Sequence, residues 1–470
     1  NLIEEIKRTK GSYYKTAHVK DNKIMQSFIG DSIEGDINYV VWSCIYFCPH
    51  CNNEMIYYEI LEKYNIKSTQ AKFKCPNCNV EVERNKLGMK RSSDIDLELG
   101  INTTLVERVP VLINYSVGKK RFTKKPDDRD IEKLNELNRM KIELYPKSEM
   151  LRGDETERLF RVGITHVKQL YPRRALYFLS EFYKVCRFDN KKLFLITSAL
   201  PKLTILNRYM PEHGSRALVG PRAGTYYLPP LFVENDVIGQ LEFQLKKLKN
   251  LRYKKGNTLV TTQSTTDLSN IPENCIDYIF IDPPFGANIM YSELNFVPED
   301  WIGVKTANPK EAIINKTQGK GLLEYQSLMT KCFSELFRIL KPNRWITIEF
   351  HNSKNSIWNS IQEALSVAGF IVADVRTLNK EKKTINQYTA AGCVDQDLII
   401  SAYKPKESFA KLFINNTGHK QTAWEFVTQH LDKLPPVIIK NNKIEIVAER
   451  QAILLFDRMV AYHIVKGLPI

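Results

Sequence analysis

The stretch "CIDYIFIDPPFG" (275–286) constrains the fold more tightly than any other part of the chain. Up to Asp282 it is an almost unbroken apolar run, the pattern of a parallel strand buried on both faces. The residues around it alternate strand and helix patterns. "LEYQSLMTKCFSELFRILKP" (323–342) reads as an amphipathic helix ended by Pro342, and "RWITIEF" (344–350) as a second buried strand. "SIWNSIQEALSVAGF" (356–370) reads as a helix stopped by Gly369. "FIVADVRTL" (370–378) and "DQDLIISAYK" (395–404) read as strands joined by the loop Asn379–Val394, an antiparallel hairpin at one edge of the sheet. Upstream, "TLVTTQSTTDL" (258–268) reads as one more strand. This alternation implies an α/β fold, a largely parallel sheet with helices on its faces.

Ligands of such sheets bind beyond the carboxyl ends of the strands. Asp282, read as the last strand residue, would point its carboxylate there. Pro283 and Pro284 remove two backbone donors and fix φ, which leaves their carbonyls as rigid acceptors. Phe285 adds a flat apolar face, and Gly286 lets the backbone turn away. Methylation of an exocyclic base amine needs all of these together. The amine lone pair is delocalised into the ring, and hydrogen bonds from its two N–H groups to Asp282 and the Pro283 carbonyl would favour a more tetrahedral nitrogen. Phe285 would stack on a base already swung out of the duplex. The rival reading of the four residues is a proline-rich turn with an incidental aspartate.

The segment "TTQSTTDLSNIPENCIDYIFIDPPFGANIMYSEL" resembles the amino-directed, S-adenosylmethionine-dependent DNA methyltransferases, whose signature is Asp/Asn/Ser-Pro-Pro followed by Tyr, Phe or Trp. The resemblance covers about Asn257 to Lys404 and implies the later strands of a Rossmann-like class I methyltransferase sheet. It implies S-adenosylmethionine as the cofactor, with Asp267 meeting the cofactor adenine. It implies that Asp282, Pro283, Pro284 and Phe285 form the catalytic motif. Because the motif opens with Asp rather than Ser, adenine N6 is the expected target, with cytosine N4 left open. "NIMYSELNF" (288–296) resembles a subgroup of large bacterial adenine-specific methylases that carry a zinc ribbon ahead of the motif, and "GPRAGTYYLPPL" (220–231) fits that subgroup less closely. One departure stands out. The family's glycine-rich cofactor loop, Phe-x-Gly-x-Gly, is absent; Gly220/Gly224 and Gly319/Gly321 do not follow expected strands. The loop is expected upstream of Asn1, and both ends of the chain are expected to be cuts in a longer protein. The alternative is a methyltransferase-fold protein that has lost cofactor binding and serves as a nucleic-acid-binding or assembly subunit.

Cys48-Pro-His-Cys51 and Cys75-Pro-Asn-Cys78 are two knuckles separated by 23 residues. Four thiolates at this spacing close a tetrahedral structural zinc site with no open position. His50 lies too close in sequence to its neighbouring ligands to replace one. The remaining cysteines (Cys44, Cys186, Cys275, Cys332, Cys393) read as small core residues. Nine cysteines without a secretory signal suit a reducing, cytoplasmic compartment.

The net charge of +15 suits a polyanionic partner, here DNA, with further subunits of a restriction or phage-defence system as additional candidates. "KKRFTKK" (119–125) and "KKLKNLRYKK" (246–255) concentrate the charge and interleave aromatics among the lysines, a mixture suited to phosphate contact with base stacking. No apolar run reaches the ~18 residues of a membrane-spanning helix, so no membrane partner is expected. The expected division is a leading helix at 1–35, continuing from an earlier half of the fold, then a zinc ribbon at 36–95. A mostly helical, basic insertion for target recognition follows at 96–250, then the catalytic half at 251–405 and a helical extension at 406–470. Tyr291 and Glu293 read either as base-pocket or as packed helix residues; His351 and Asn352 as a polar wall or a strand-end cap; "QGKGLLEY" (318–325) as a mobile loop or a simple turn. Trp301, Trp345, Trp358 and Trp424 are expected core anchors.

Overall fold

The computed structural model describes residues 2–21, 23–26, 32–251, 256–351, 355–379, 396–406, 420–440, 443–445 and 447–465. The chain divides into two compact units, Asn1–Gly256 with Tyr291–Thr306, and Asn257–Met290 with Ala307–Ile470.

The first unit is built on a nine-stranded antiparallel sheet. Its spine is β1 (Glu34–Phe47), whose apolar residues alternate toward the core before the strand becomes buried throughout. Two short strands, β2 (Lys72–Lys74) and β3 (Glu81–Glu83), pair with each other outside this sheet. The spine is flanked by β4 (Arg108–Val117), which pairs onward with β5 (Lys120–Lys124), and by β6 (Leu231–Asn235), in which every residue is buried. Against the sheet pack α1 (Leu2–Lys10), α3 (Asp128–Arg139), α5 (Arg173–Cys186), α6 (Asn190–Ala199), α7 (Val237–Lys249) and α8 (Tyr291–Ile302), while α2 (Tyr57–Tyr64) sits beside the cysteine knuckles and α4 (Glu157–Phe160) is a single turn. Pro172 caps α5, and the carboxylates of Asp189 and Asp236 accept backbone N–H groups at the starts of α6 and α7. Buried cations of this unit meet carboxylates: Lys124 with Asp130, Lys168 with Asp96 and Glu98, and Arg174 with Glu234. The basic stretch 119–130 is β5 followed by a capped helix start. Gly118 supplies the positive φ of a hairpin turn, which brings the charged strand onto the half-exposed sheet edge. The segment 96–250, expected to be mostly helical, carries five of the sheet's strands as well as its helices, because Arg108–Val117 and Leu231–Asn235 both find β1 as a partner.

The second unit holds a four-stranded sheet in the order β7-β8-β10-β9, where β7 is Ile276–Ile281, β8 Leu340–Phe350, β9 Ile371–Asn379 and β10 Gln396–Tyr403. β7 and β8 are parallel, with Ile279 opposite Ile346 and Ile281 opposite Ile348; β10 inserts antiparallel between β8 and β9. The antiparallel pair therefore lies at one edge of the sheet, with β9 outermost. α9 (Leu322–Ile339) and α10 (Asn355–Ala368) supply the core, where Tyr325, Phe333, Ile346, Ile348, Phe350 and Ile361 are fully buried. Each such side chain contributes about 1.5–3 kcal/mol of transfer free energy. A smaller cluster joins Tyr403 and Ile371 to Phe426 and Leu434 of the α11 region (Lys420–Lys433) and to Met459 and Tyr462 of α12 (Ala452–Val465).

Four expectations are corrected here. α9 stops at Ile339, where the chain turns directly into β8, so Pro342 lies within an extended strand and does not end the helix. Residues 258–268 form no strand; Leu259 and Val260 are 88% and 86% exposed, and no described strand pairs with them. β7 is not buried on both faces: Tyr278 and Phe280 are 54% and 56% exposed, and among the described strands β7 pairs only with β8. Trp301 is a core anchor at 1% exposure, but Trp424 is 71% exposed on the outer side of α11.

Candidate active site

Because β7 runs parallel to β8, its carboxyl end opens on the ligand side of the sheet. Asp282 is the first residue past that end and is exposed; Pro283 is buried beneath it. The next carbonyl is fixed from the core: the Tyr325 hydroxyl of α9 donates to the Pro284 oxygen at 2.7 Å. Tyr325 has no exposed surface, and burial pushes its phenol well above the ordinary range, so it stays a donor. Gly286 adopts φ +75°, a left-handed turn that a Cβ would disfavour, and its carbonyl accepts the Ile314 N–H at 3.3 Å. The Phe285 ring is half-buried. Its edge meets Phe350 at 5.4 Å between centroids and His351 at 6.2 Å.

His351 follows β8 and sits opposite the start of β10. Its Nδ1 lies 2.7 Å from an oxygen of Asp397, which is 1% exposed. The structure thus brings Asp282, Pro283, Pro284, Phe285 and His351 together at one sheet end. Asn352 lies outside the described residues. Tyr325 and Asp397 had no signal in the sequence, since one is an ordinary core position of a helix and the other follows a long loop.

Asp267 is placed elsewhere. It is exposed, and its carboxyl is held below the usual range by hydrogen bonds from its neighbour Ser269, whose N–H approaches at 3.2 Å. The following turn is pinned to the far end of α9: Glu335 accepts the Leu268 N–H at 2.8 Å, and Arg338 donates to the carbonyls of Leu268 and Ile271. Tyr325 and Glu335 are ten residues apart on α9, or about 15 Å along a helix axis. No described contact joins Asp267 to the Asp-Pro-Pro-Phe segment.

Glu293 is no pocket residue. It is 1% exposed and accepts the N–H groups of Glu155 at 2.8 Å and Thr156 at 3.1 Å, at the start of α4. A Cβ at Gly153 would run into this carboxylate. Tyr291 is 45% exposed. "QGKGLLEY" is a turn: Asn315 and Lys320 pair across it, Gly319 takes φ +66°, and Gly321 caps α9.

The four knuckle cysteines converge, with all sulfurs within 4.8 Å of one another. The knuckles repeat one local design. Cys48 and Cys75 each accept an N–H four residues on, from Asn52 and Asn79, and both asparagines take positive φ, 56° and 62°. Cys48 Sγ lies 3.7 Å from Cys78 Sγ, and Cys51 Sγ 3.8 Å from Cys75 Sγ. A tetrahedral zinc with ~2.3 Å bonds sets sulfur–sulfur edges of about 3.8 Å, so the sulfurs fit that ion. The Asn77 side chain lowers the Cys51 thiol to about 6. Cys78, despite a hydrogen bond with the Val80 backbone, is pushed up to about 12 by desolvation and the other thiols.

Of the basic runs, Lys120 and Arg121 are exposed on β5, but Phe122 packs on Tyr115 and His18 and is not free to stack on a base. On α7, Lys247 lies 4.3 Å over the exposed Phe243 ring. Residues 252–255 of the second run are outside the described residues.

Residues 276–443 match a family model described as a DNA methylase of the N6/N4 type. The segment begins with β7 and contains the whole Asp-Pro-Pro-Phe cluster. Among solved structures, the chain is similar to a putative DNA modification methylase from Thermus thermophilus (13% identity, 36% of this chain and 62% of that one, TM-score 0.19). The same enzyme complexed with S-adenosyl-L-methionine matches at 12% identity over 36% and 64% (TM-score 0.19). A SAM-dependent methyltransferase from Methanosarcina mazei matches at 13% over 37% and 80% (TM-score 0.20). At these TM-scores the likeness carries no argument, and the chain spans under two thirds of the Thermus methylase. No curated protein matches. No described helix is long and apolar enough to cross a membrane.

Proposed function

We propose that the protein methylates an exocyclic amine of a base in DNA, with adenine N6 the favoured target and S-adenosylmethionine the methyl donor. The observation that carries the reading is the Asp-Pro-Pro-Phe cluster at the carboxyl end of a parallel strand, inside the DNA methylase segment. Asp282 and the Pro283 carbonyl accept the two amine N–H groups of a flipped base. Tyr325 occupies the Pro284 carbonyl, so the second acceptor for the amine is assigned to Pro283. Phe285, braced by Phe350 and His351, offers the ring on which the base stacks. Fixing the amine in this way aligns its lone pair and costs no reorganisation during reaction. The bound donor would supply an activated methyl group. Asp267 is the candidate for its adenine; that contact requires residues 257–266 to lie along the free edge of β7, which would also cover Leu259, Val260, Tyr278 and Phe280. Four knuckle thiolates hold a structural zinc.

The free edge of β7 favours a second reading, a methyltransferase-fold subunit that binds nucleic acid without transferring methyl. The two readings separate when the full-length protein is incubated with radiolabelled methyl donor and mixed-sequence DNA and the nucleosides are resolved. Label in N6-methyladenine supports the first reading as stated, label in N4-methylcytosine changes the base, and DNA binding with no label leaves the subunit reading.

A further inference from the structure

The first unit contains a second cationic site that the methyl-transfer reading does not use. Ser68, Arg84, Arg208, Tyr209, Arg222 and Tyr227 line a cleft of about 240 Å³ floored by Pro229 and Pro230. A neighbouring hollow of about 220 Å³ shares Arg84, Tyr227 and both prolines and adds Arg108. Neither lining contains an aspartate or glutamate. Lys202 stands behind Arg208; burial, and then the charge of Arg208, lower its ammonium pKa. Two carboxylates are described near the cleft: Glu212, one of whose oxygens accepts the Ser68 hydroxyl at 2.7 Å, and Glu62, whose charge acts on Tyr209.

The cations of the cleft differ from the most buried cations of the same unit. Lys124, Lys168, Arg173 and Arg174 all pair with carboxylates. Among the described ion pairs, none includes Arg84, Arg108, Arg208, Arg222 or Lys202. Arg84 is held by neutral groups, donating to the Tyr57 hydroxyl at 2.9 Å and the Ser68 carbonyl at 2.7 Å. Arg208 donates Nε to the Gly220 carbonyl at 2.9 Å, which fixes its guanidinium beside the turn that carries Arg222. Pre-positioned guanidinium groups without counter-charges suit phosphate, which they bind through paired N–H donors. Tyr209 and Tyr227 add ring faces of the kind that pack on sugar and base. Each hollow is smaller than the ~300–1,000 Å³ of an ordinary small-molecule pocket, and the two continue into each other, which suits a length of chain better than an enclosed metabolite.

We propose that this cleft grips the phosphodiester backbone of DNA, with Arg208 and Arg222 contacting phosphates. The proposal deepens the reading of DNA as substrate and rests on it for the ligand, but not on catalysis. The test is equilibrium binding of duplex DNA to the full-length protein across a salt series, for wild type, Arg222→Ala, the Arg208→Ala/Arg222→Ala pair, and Lys191→Ala as an exposed-charge control. Loss of a phosphate contact lowers the slope of log affinity against log salt by about 1. We therefore expect a drop of about 1 for Arg222→Ala and about 2 for the pair, equal on unrelated sequences, with no change for Lys191→Ala. Arg208→Lys, which keeps the charge, should restore most of the slope and guards against a folding defect in the pair. An unchanged slope in Arg222→Ala and the pair overturns the proposal. So does stabilisation of the protein by inorganic phosphate with unchanged DNA slopes, which would assign the cleft to a free anion. Failure of methyl transfer with the expected slopes would remove the enzyme reading and leave the cleft standing.

Discussion

Tyr325→Phe isolates one atom of the proposed mechanism. The ring stays, so no cavity forms in a core where Tyr325 has no exposed surface; only the hydroxyl that holds the Pro284 carbonyl at 2.7 Å is lost. A buried carbonyl deprived of its donor costs about 1–3 kcal/mol. In urea unfolding followed in the second unit, for instance through Trp345 or Trp358, the variant should lose stability within that range. If that hydrogen bond also sets the direction of the neighbouring Pro283 carbonyl and Asp282, part of the loss reappears in the transition state. At ~1.4 kcal/mol per tenfold, kcat for methyl transfer should fall about 5- to 100-fold while DNA affinity stays within twofold. A variant that is less stable but equally fast would refute the reasoning: the tyrosine would then be a core residue only, and the rigidity of the two prolines alone would orient the site.

Three further outcomes follow from other parts of the molecule. Metal analysis should find about one zinc per chain, lost on Cys75→Ser with unfolding of the knuckle region; metal-free protein that melts unchanged would contradict the zinc assignment. His430 is fully buried and hydrogen-bonded to Tyr403, and burial lowers its pKa from 6.5 to about 4. The unfolded chain therefore binds the proton first as pH falls, so stability is full above about 6.5 and is lost toward pH 4. Between pH 7 and 5 the loss should be about 2 kcal/mol, and its absence from His430→Gln by pH-dependent denaturation would verify the cause. Glu293→Ala strands the N–H groups of Glu155 and Thr156 and should cost about 2–4 kcal/mol, with Glu293→Gln milder, by urea denaturation.

Local patterns carried much of this structure. The apolar runs at 276–281 and 344–350 and the helices after them are legible because a short run of β-forming apolar residues marks a strand and an amphipathic helix shows its period, although the run did not reveal that Tyr278 and Phe280 lie exposed. The cysteine knuckles are legible because their ligands are close in sequence. Contacts made by distant residues were hidden. Nothing around Tyr325 distinguishes it from other core positions of α9, and Asp397 meets His351 only because β10 inserts beside β8. Strand readings failed where pairing decides: Leu259 and Val260 have strand chemistry without a described partner, and the lysine-rich β5 is a strand because Gly118 folds it back on β4. Glu293 lies five residues beyond Asn288 of the motif region, yet its carboxylate serves a helix start contributed by residues 153–156.

The most direct measurement is methyl transfer by the full-length protein carrying Asp282→Ala, compared with wild type on the same DNA. Asp282 is exposed past the end of β7, so the change leaves the core intact. The account predicts labelled base amine with wild type, loss of at least ~100-fold in kcat with the variant, and DNA affinity unchanged. Wild-type-level transfer by Asp282→Ala would contradict it.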